Sequence, residues 1–135
     1  MLRTLEGLAA GTLAATPQVH SMATLAPILT REDGRLGLNQ RSAQQVYDRW
    51  RGFHPWPGAW ATFRGKRFLV HRLRLQSGVT DLPAGELRFE ADQLLAGASG
   101  GGALELGEVQ MEGKPRMPGS SFARDFQLRT GERLD

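Results

Sequence analysis

Apolar residues first recur at helical spacing near the start of the chain. Leu2, Leu5, Leu8 and Ala9, with Leu13 beyond them, predict a short helix over Leu2–Leu13. Gly7 and Gly11 weaken it by about 1 kcal/mol each relative to alanine, so it reads as a helix in need of a neighbour. Thr16–Thr30 shows no period and contains Pro17 and Pro27, which makes it an extended connector, and Arg31–Gly34 reads as a turn. The strongest signal comes next. Ala43, Val46, Tyr47 and Trp50 fall at i, i+3, i+4 and i+7 behind a cap at Asn39 or Ser42. Gly52 and the Pro55–Gly58 cluster end that helix.

From Ala59 onward the period becomes two. Ala59–Phe63 and Arg67–Leu75 flank a short glycine-containing loop and predict a hairpin. In its second strand Leu69, His71, Leu73 and Leu75 share one face, while Phe68, Val70, Arg72 and Arg74 share the other. Gly85–Glu90, Gln93–Ala98 and Ala103–Met111 predict three more strands, with Ser99–Gly102 as a hairpin loop. Glu112–Met117 is a loop, and Pro118–Leu128 holds a short helix with Phe122 and Phe126 at i, i+4. The expected class is α+β and β-rich: a small OB-like antiparallel β-barrel preceded by a helix and an extended linker. We divide the chain into residues 1–38, a terminal helix with its linker, and residues 39–135, the barrel domain.

Composition narrows the function. The chain has 135 residues, enough for one core, and no cysteine, which excludes disulfide scaffolds, thiol catalysis and cysteine zinc sites. No apolar run reaches the roughly 20 residues of a spanning helix, and no export signal is read at the start, so a cytoplasmic protein without a membrane partner is expected. The net charge is +3, and all 17 bases except Lys66 and Lys114 are arginine. Residues 61–75 carry five bases and no acid, whereas residues 76–113 carry one base and seven acids. If the basic block meets the basic C-terminal block while the acidic block stays apart, one face is left positive and suits a polyanion. Arg64, Lys66, Arg67, Arg72 and Arg74 form one cluster of candidate RNA contacts, and Lys114 and Arg116 form a second. The alternative is a set of solvated strand edges protected by charge.

Other chemistry finds little support. His20, His54 and His71 have no metal-ligand spacing, and His54 suits packing or capping. No nucleophile elbow, P-loop or dinucleotide fingerprint is present, so no catalytic residue, metal or bound cofactor is assigned. Trp50 and Trp56 are assigned to the core and Trp60 is left open. Arg49 and Arg51 are expected to pack against the barrel or another domain.

Several ordered motifs give the sequence a family likeness. Arg51–Trp60 reads Arg-Gly-Phe-His-Pro-Trp-Pro-Gly-Ala-Trp. It resembles the helix-to-barrel junction in the C-terminal domain of the methionyl-tRNA formyltransferase family. Ala23–Leu29 resembles the family's Ala-Thr-Tyr-Ala-Pro-Lys-Leu connector, with Pro17-Gln18 before it and Arg31–Asp33 after it. Gln110–Met117 resembles its Gln-Pro-x-Gly-Lys-x-x-Met loop, and Phe122 and Gly131–Leu134 fit its ending. Gly37 and Leu38 stand where the family has an acid and a tryptophan, and Met111 replaces a proline.

The resemblance implies a tRNA-binding C-terminal segment, inactive alone, whose catalytic N-terminal domain is missing; a monomer is expected. Met1 would then be an introduced start. The parent activity it implies is transfer of a formyl group from 10-formyltetrahydrofolate to initiator Met-tRNA. A sugar-nucleotide formyltransferase and a non-enzymatic protein-docking module are the rival readings.

Overall fold

A computed structural model describes residues 2–135; the reading of Met1 lies outside them. The first helix, α1, spans Leu2–Ala9 and buries none of its residues. It stops before Leu13 because Gly11 is its cap. Gly11 takes a φ of +66°, its N–H donates to Leu8 O, and Thr12 N–H donates to Gly7 O at 2.9 Å. The connector is extended apart from short 3-10 turns at His20–Met22 and Glu32–Gly34.

Helix α2, Ala43–Phe53, starts at Ser42 rather than Asn39. Gln45 decides the choice. Its backbone N–H donates to Ser42 Oγ at 3.3 Å, and its side chain accepts from Ser42 N–H at 3.0 Å. Val46 is fully buried, and Tyr47 and Trp50 pack beside it on the core. Trp50 also donates its indole N–H to Val70 O at 3.0 Å.

The strands are β1 (Trp60–Phe63), β2 (Lys66–Gln76), β3 (Leu87–Glu90), β4 (Gln93–Gly97), β5 (Ala103–Met111) and β6 (Met117–Pro118). They form one curled antiparallel sheet in the order β1-β2-β5-β4-β3, with β6 added to β5. The two-residue β6 falls in what reads as the end of a loop, too short to show a period. Helix α3, Gly119–Asp125, follows it and buries Phe122 among Phe63 and Phe68, with ring centroids 5.3 and 5.0 Å away. The fold class is the expected one: β-rich α+β around a half-barrel.

Strand β2 departs from simple alternation. Phe68 and Val70 point into the core, yet so does Leu73, which the alternating pattern puts on the opposite face. Register shifts on either side of Arg72 explain the change: Val70 faces Val109, Arg72 faces Glu108 and Leu73 faces Leu106. These bulges turn Arg72 and Arg74 outward together and keep Leu73 inside.

The C-terminal tail joins the two free edges of the sheet. Leu87 N–H donates to Glu132 O and Leu134 N–H to Gly85 O, both at 2.8 Å, on the β3 side. On the β1 side Asp135 N–H donates to Thr62 O at 3.0 Å, and Thr62 N–H donates back to Asp135 O at 3.2 Å. Leu134 is fully buried between them, and Leu36 and Leu38 of the linker enter the same core.

Candidate nucleic-acid interface

The antiparallel pairing of β2 with β5 decides how the basic block meets its surroundings. The acidic block does not stay apart, because β5 belongs to it and lies directly beside β2. Arg72 stands opposite Glu108, and Arg74 opposite Glu105 with 3.9 Å between their charged atoms. Arg116 reaches the same Glu108 at 3.7 Å. Alternating bases and acids therefore run across the outer face of these strands. Arg64 is the most tightly held candidate. Its guanidinium forks onto Glu132 at 2.6 and 2.8 Å while lying over the Phe63 ring. That fork, with a backbone bond from Arg129, holds the Glu132 carboxyl below its ordinary range.

Lys66, Arg67 and Lys114 are arranged differently. Arg64 and Gly65 both have positive φ, so the β1–β2 turn is tight and brings Lys66 to the tip of the hairpin. The loop after β5 is laced to that end of β2. Glu112 N–H donates to Arg67 O at 2.9 Å, and Gln110, bonded to His71, donates its side-chain N–H to Lys114 O at 3.0 Å. Lys66 and Lys114 are exposed, and neither they nor Arg67 and Arg72 form an ion pair among the described residues. Arg67 lies over the Trp60 ring, its Cζ 4.4 Å from the centroid.

Trp60 extends this surface to residues that sequence reasoning missed. Its indole donates to Arg31 O at 2.9 Å, which pins the linker over the outer face of β1. Arg35 approaches the same ring at 5.6 Å. Arg49 of α2 donates from Nε to Arg35 O at 2.8 Å and from Nη2 to Asp33 O. Arg41 donates to Leu36 O at 3.3 Å. Arg49, expected to pack against the barrel or another domain, is instead held by the linker, and it joins Arg35 and Arg41 in lining one cavity. The linker must fold back over α2 to bring them together, and no local spacing encodes that. Trp56, assigned to the core, is instead 59% exposed, because the turn that carries it projects from the sheet. His54 ends α2 with its ring 5.6 Å from Trp50.

A curled antiparallel half-barrel carrying basic groups on a hairpin, a loop and a folded-back linker defines a β-rich α+β domain. The family model described as "Formyl transferase, C-terminal domain" matches residues 28–127, and the chain belongs to that family. Methionyl-tRNA formyltransferase of Koribacter versatilis is 46% identical to it over 134 residues, covering 99% of this chain and 42% of that protein. Its counterpart in Acidobacterium capsulatum is also 46% identical, covering 99% and 43% respectively, and that of Geobacter sulfurreducens is 37% identical. The chain thus spans less than half the length of these relatives. HypX from Aquifex aeolicus shares the fold, with a TM-score of 0.63 at 20% identity over 97% of this chain and 23% of that one. No described helix is long and apolar enough to cross a membrane.

Proposed function

We propose that this chain is the tRNA-holding part of a cytoplasmic, monomeric enzyme that formylates initiator Met-tRNA in translation initiation. The formyl donor is 10-formyltetrahydrofolate. The folate site and the catalytic residues belong to the portion of the longer relatives that this chain does not span, so the chain alone is inactive. Its partners are initiator Met-tRNA and that catalytic portion. The observation that carries the reading is the position of Lys66, Arg67 and Lys114 at one end of the sheet, with no ion-pair partner among the described residues.

Lysine ammoniums and planar arginine forks at such a place contact phosphates and fix the position of a folded RNA more than its sequence. Arg72 extends the contact along β2. Arg74 and Arg116 join it by exchanging long carboxylate contacts for phosphate, and Arg64 contributes least while it holds Glu132. Long surface pairs such as those of Arg74 and Arg116 are weak and easily exchanged. The double variant Lys66→Glu/Lys114→Glu tests the reading. It is expected to keep the melting temperature and to weaken binding to initiator and elongator tRNA alike, by about tenfold or more. Unchanged affinity in the folded variant would overturn the reading.

A further inference from the structure

A cluster of three guanidiniums lies away from the hairpin, in a cavity of about 310 Å³ between the linker and α2. Three guanidiniums line it: Arg35 from the linker, Arg41 just before the Ser42 cap, and Arg49 from α2. Seven other arginines of the chain pair with a carboxylate, but among the described residues none of these three does. Two of them are fixed in place by neutral groups. Arg49 spends two donors on the carbonyls of Arg35 and Asp33. Arg41 spends one on Leu36 O and lies flush on Gly37, where a Cβ would stand 2.0 Å from Nη1. Each guanidinium has five N–H donors, so most of those on Arg41 and several on Arg49 are left for another acceptor.

Like charges at such quarters repel, and the repulsion is felt. Burial first, and the positive charge of Arg41 second, push the Arg49 pKa down against the opposing pull of Asp33. Glu32 and Asp135 also line the cavity and bring negative charge to it, though among the described residues neither forms an ion pair with a guanidinium. The side-chain amides of Asn39 and Gln40 add further donors. Arg35, which lines the cavity, approaches the same Trp60 ring as Arg67.

We propose that the Arg35–Arg41–Arg49 cavity is an oxyanion site that takes a single phosphate group. Rigid guanidinium forks held by carbonyls are pre-set for the paired oxygens of a phosphate, and its charge relieves their repulsion. The phosphate comes either from an RNA backbone or from a free phosphate or phosphomonoester. The RNA source rests on the function proposed above; the phosphate site itself does not.

The test is a ¹H–¹⁵N titration of the whole chain with inorganic phosphate at constant ionic strength, following the arginine Nε–H signals, and then with initiator tRNA. Phosphate is expected to shift Arg41 and Arg49 saturably and to leave the exposed Arg129 unmoved. Arg41→Gln, which removes the guanidinium charge, is expected to weaken phosphate binding about fivefold or more. It should also lower the salt slope of tRNA binding by about one. Glu32→Gln should tighten phosphate binding, since it removes the opposing charge. Saturable phosphate shifts without tRNA shifts support the site and identify a free phosphate as its ligand. Shifts at neither addition, or equal shifts at Arg129, overturn the site; steep salt-dependent tRNA binding in that case leaves the RNA reading standing.

Discussion

Ser42 and Gln45 show how much one residue decides. Asn39 and Ser42 are both acceptable caps by type, and only the reciprocal bond from Gln45 separates them. Ser42→Ala should therefore cost about 1 kcal/mol in a denaturant melt, and no loss would mean that this reciprocal pair of bonds does not hold α2. Glu132 links a residue to a pH response. Its folded pKa lies below the ordinary 4.5 because of Arg64, so the unfolded chain binds more protons in the carboxylate range. The contribution is full above the ordinary value and is lost as pH falls through the lower folded one. Glu132→Gln should flatten the acid limb of melting temperature against pH. A limb as steep as the parent's would show that the fork contributes nothing.

At the scale of elements, patterning identified α2, the β1–β2 hairpin and β3–β5 because each carries its own period and its own turn residues. It misplaced the end of α1, where Gly11 serves as a cap and looks in sequence like a weak interior position. It misassigned one face of β2, since a bulge depends on the partner strand and leaves no local mark. The tail at 132–135 was legible only through its family likeness. A single buried leucine between polar residues has no period, yet its backbone ties β3 to β1. Leu134→Ala should therefore cost about 2–5 kcal/mol, measured by chemical unfolding. A cost below about 1 kcal/mol would mean that the tail is an ornament on an already closed sheet. Gly119→Ala belongs to the same scale. Its Cβ would stand 1.9 Å from Leu106 O, so α3 must shift off β5, and a parent-like melting temperature would contradict that contact.

For the whole molecule, charge counts by sequence block predicted one positive face, and topology revised the prediction. Pairing β2 with β5 spreads acids among the bases of β2, while the linker, folded back over Trp60, gathers Arg35, Arg41 and Arg49 from positions that no block count joins. Basic groups thus sit on the hairpin, in the loop after β5, over Trp60 and on α2. Affinity for RNA through such a surface is mostly counterion release, which sets it apart from apolar docking or binding of a small neutral ligand. Titration of the chain with initiator tRNA across a series of salt concentrations measures it directly. The account predicts saturable binding whose log K falls linearly with log salt, with a slope of about −3 to −5, as expected for several phosphates neutralised together. No binding at low salt, or a slope near zero, would contradict it.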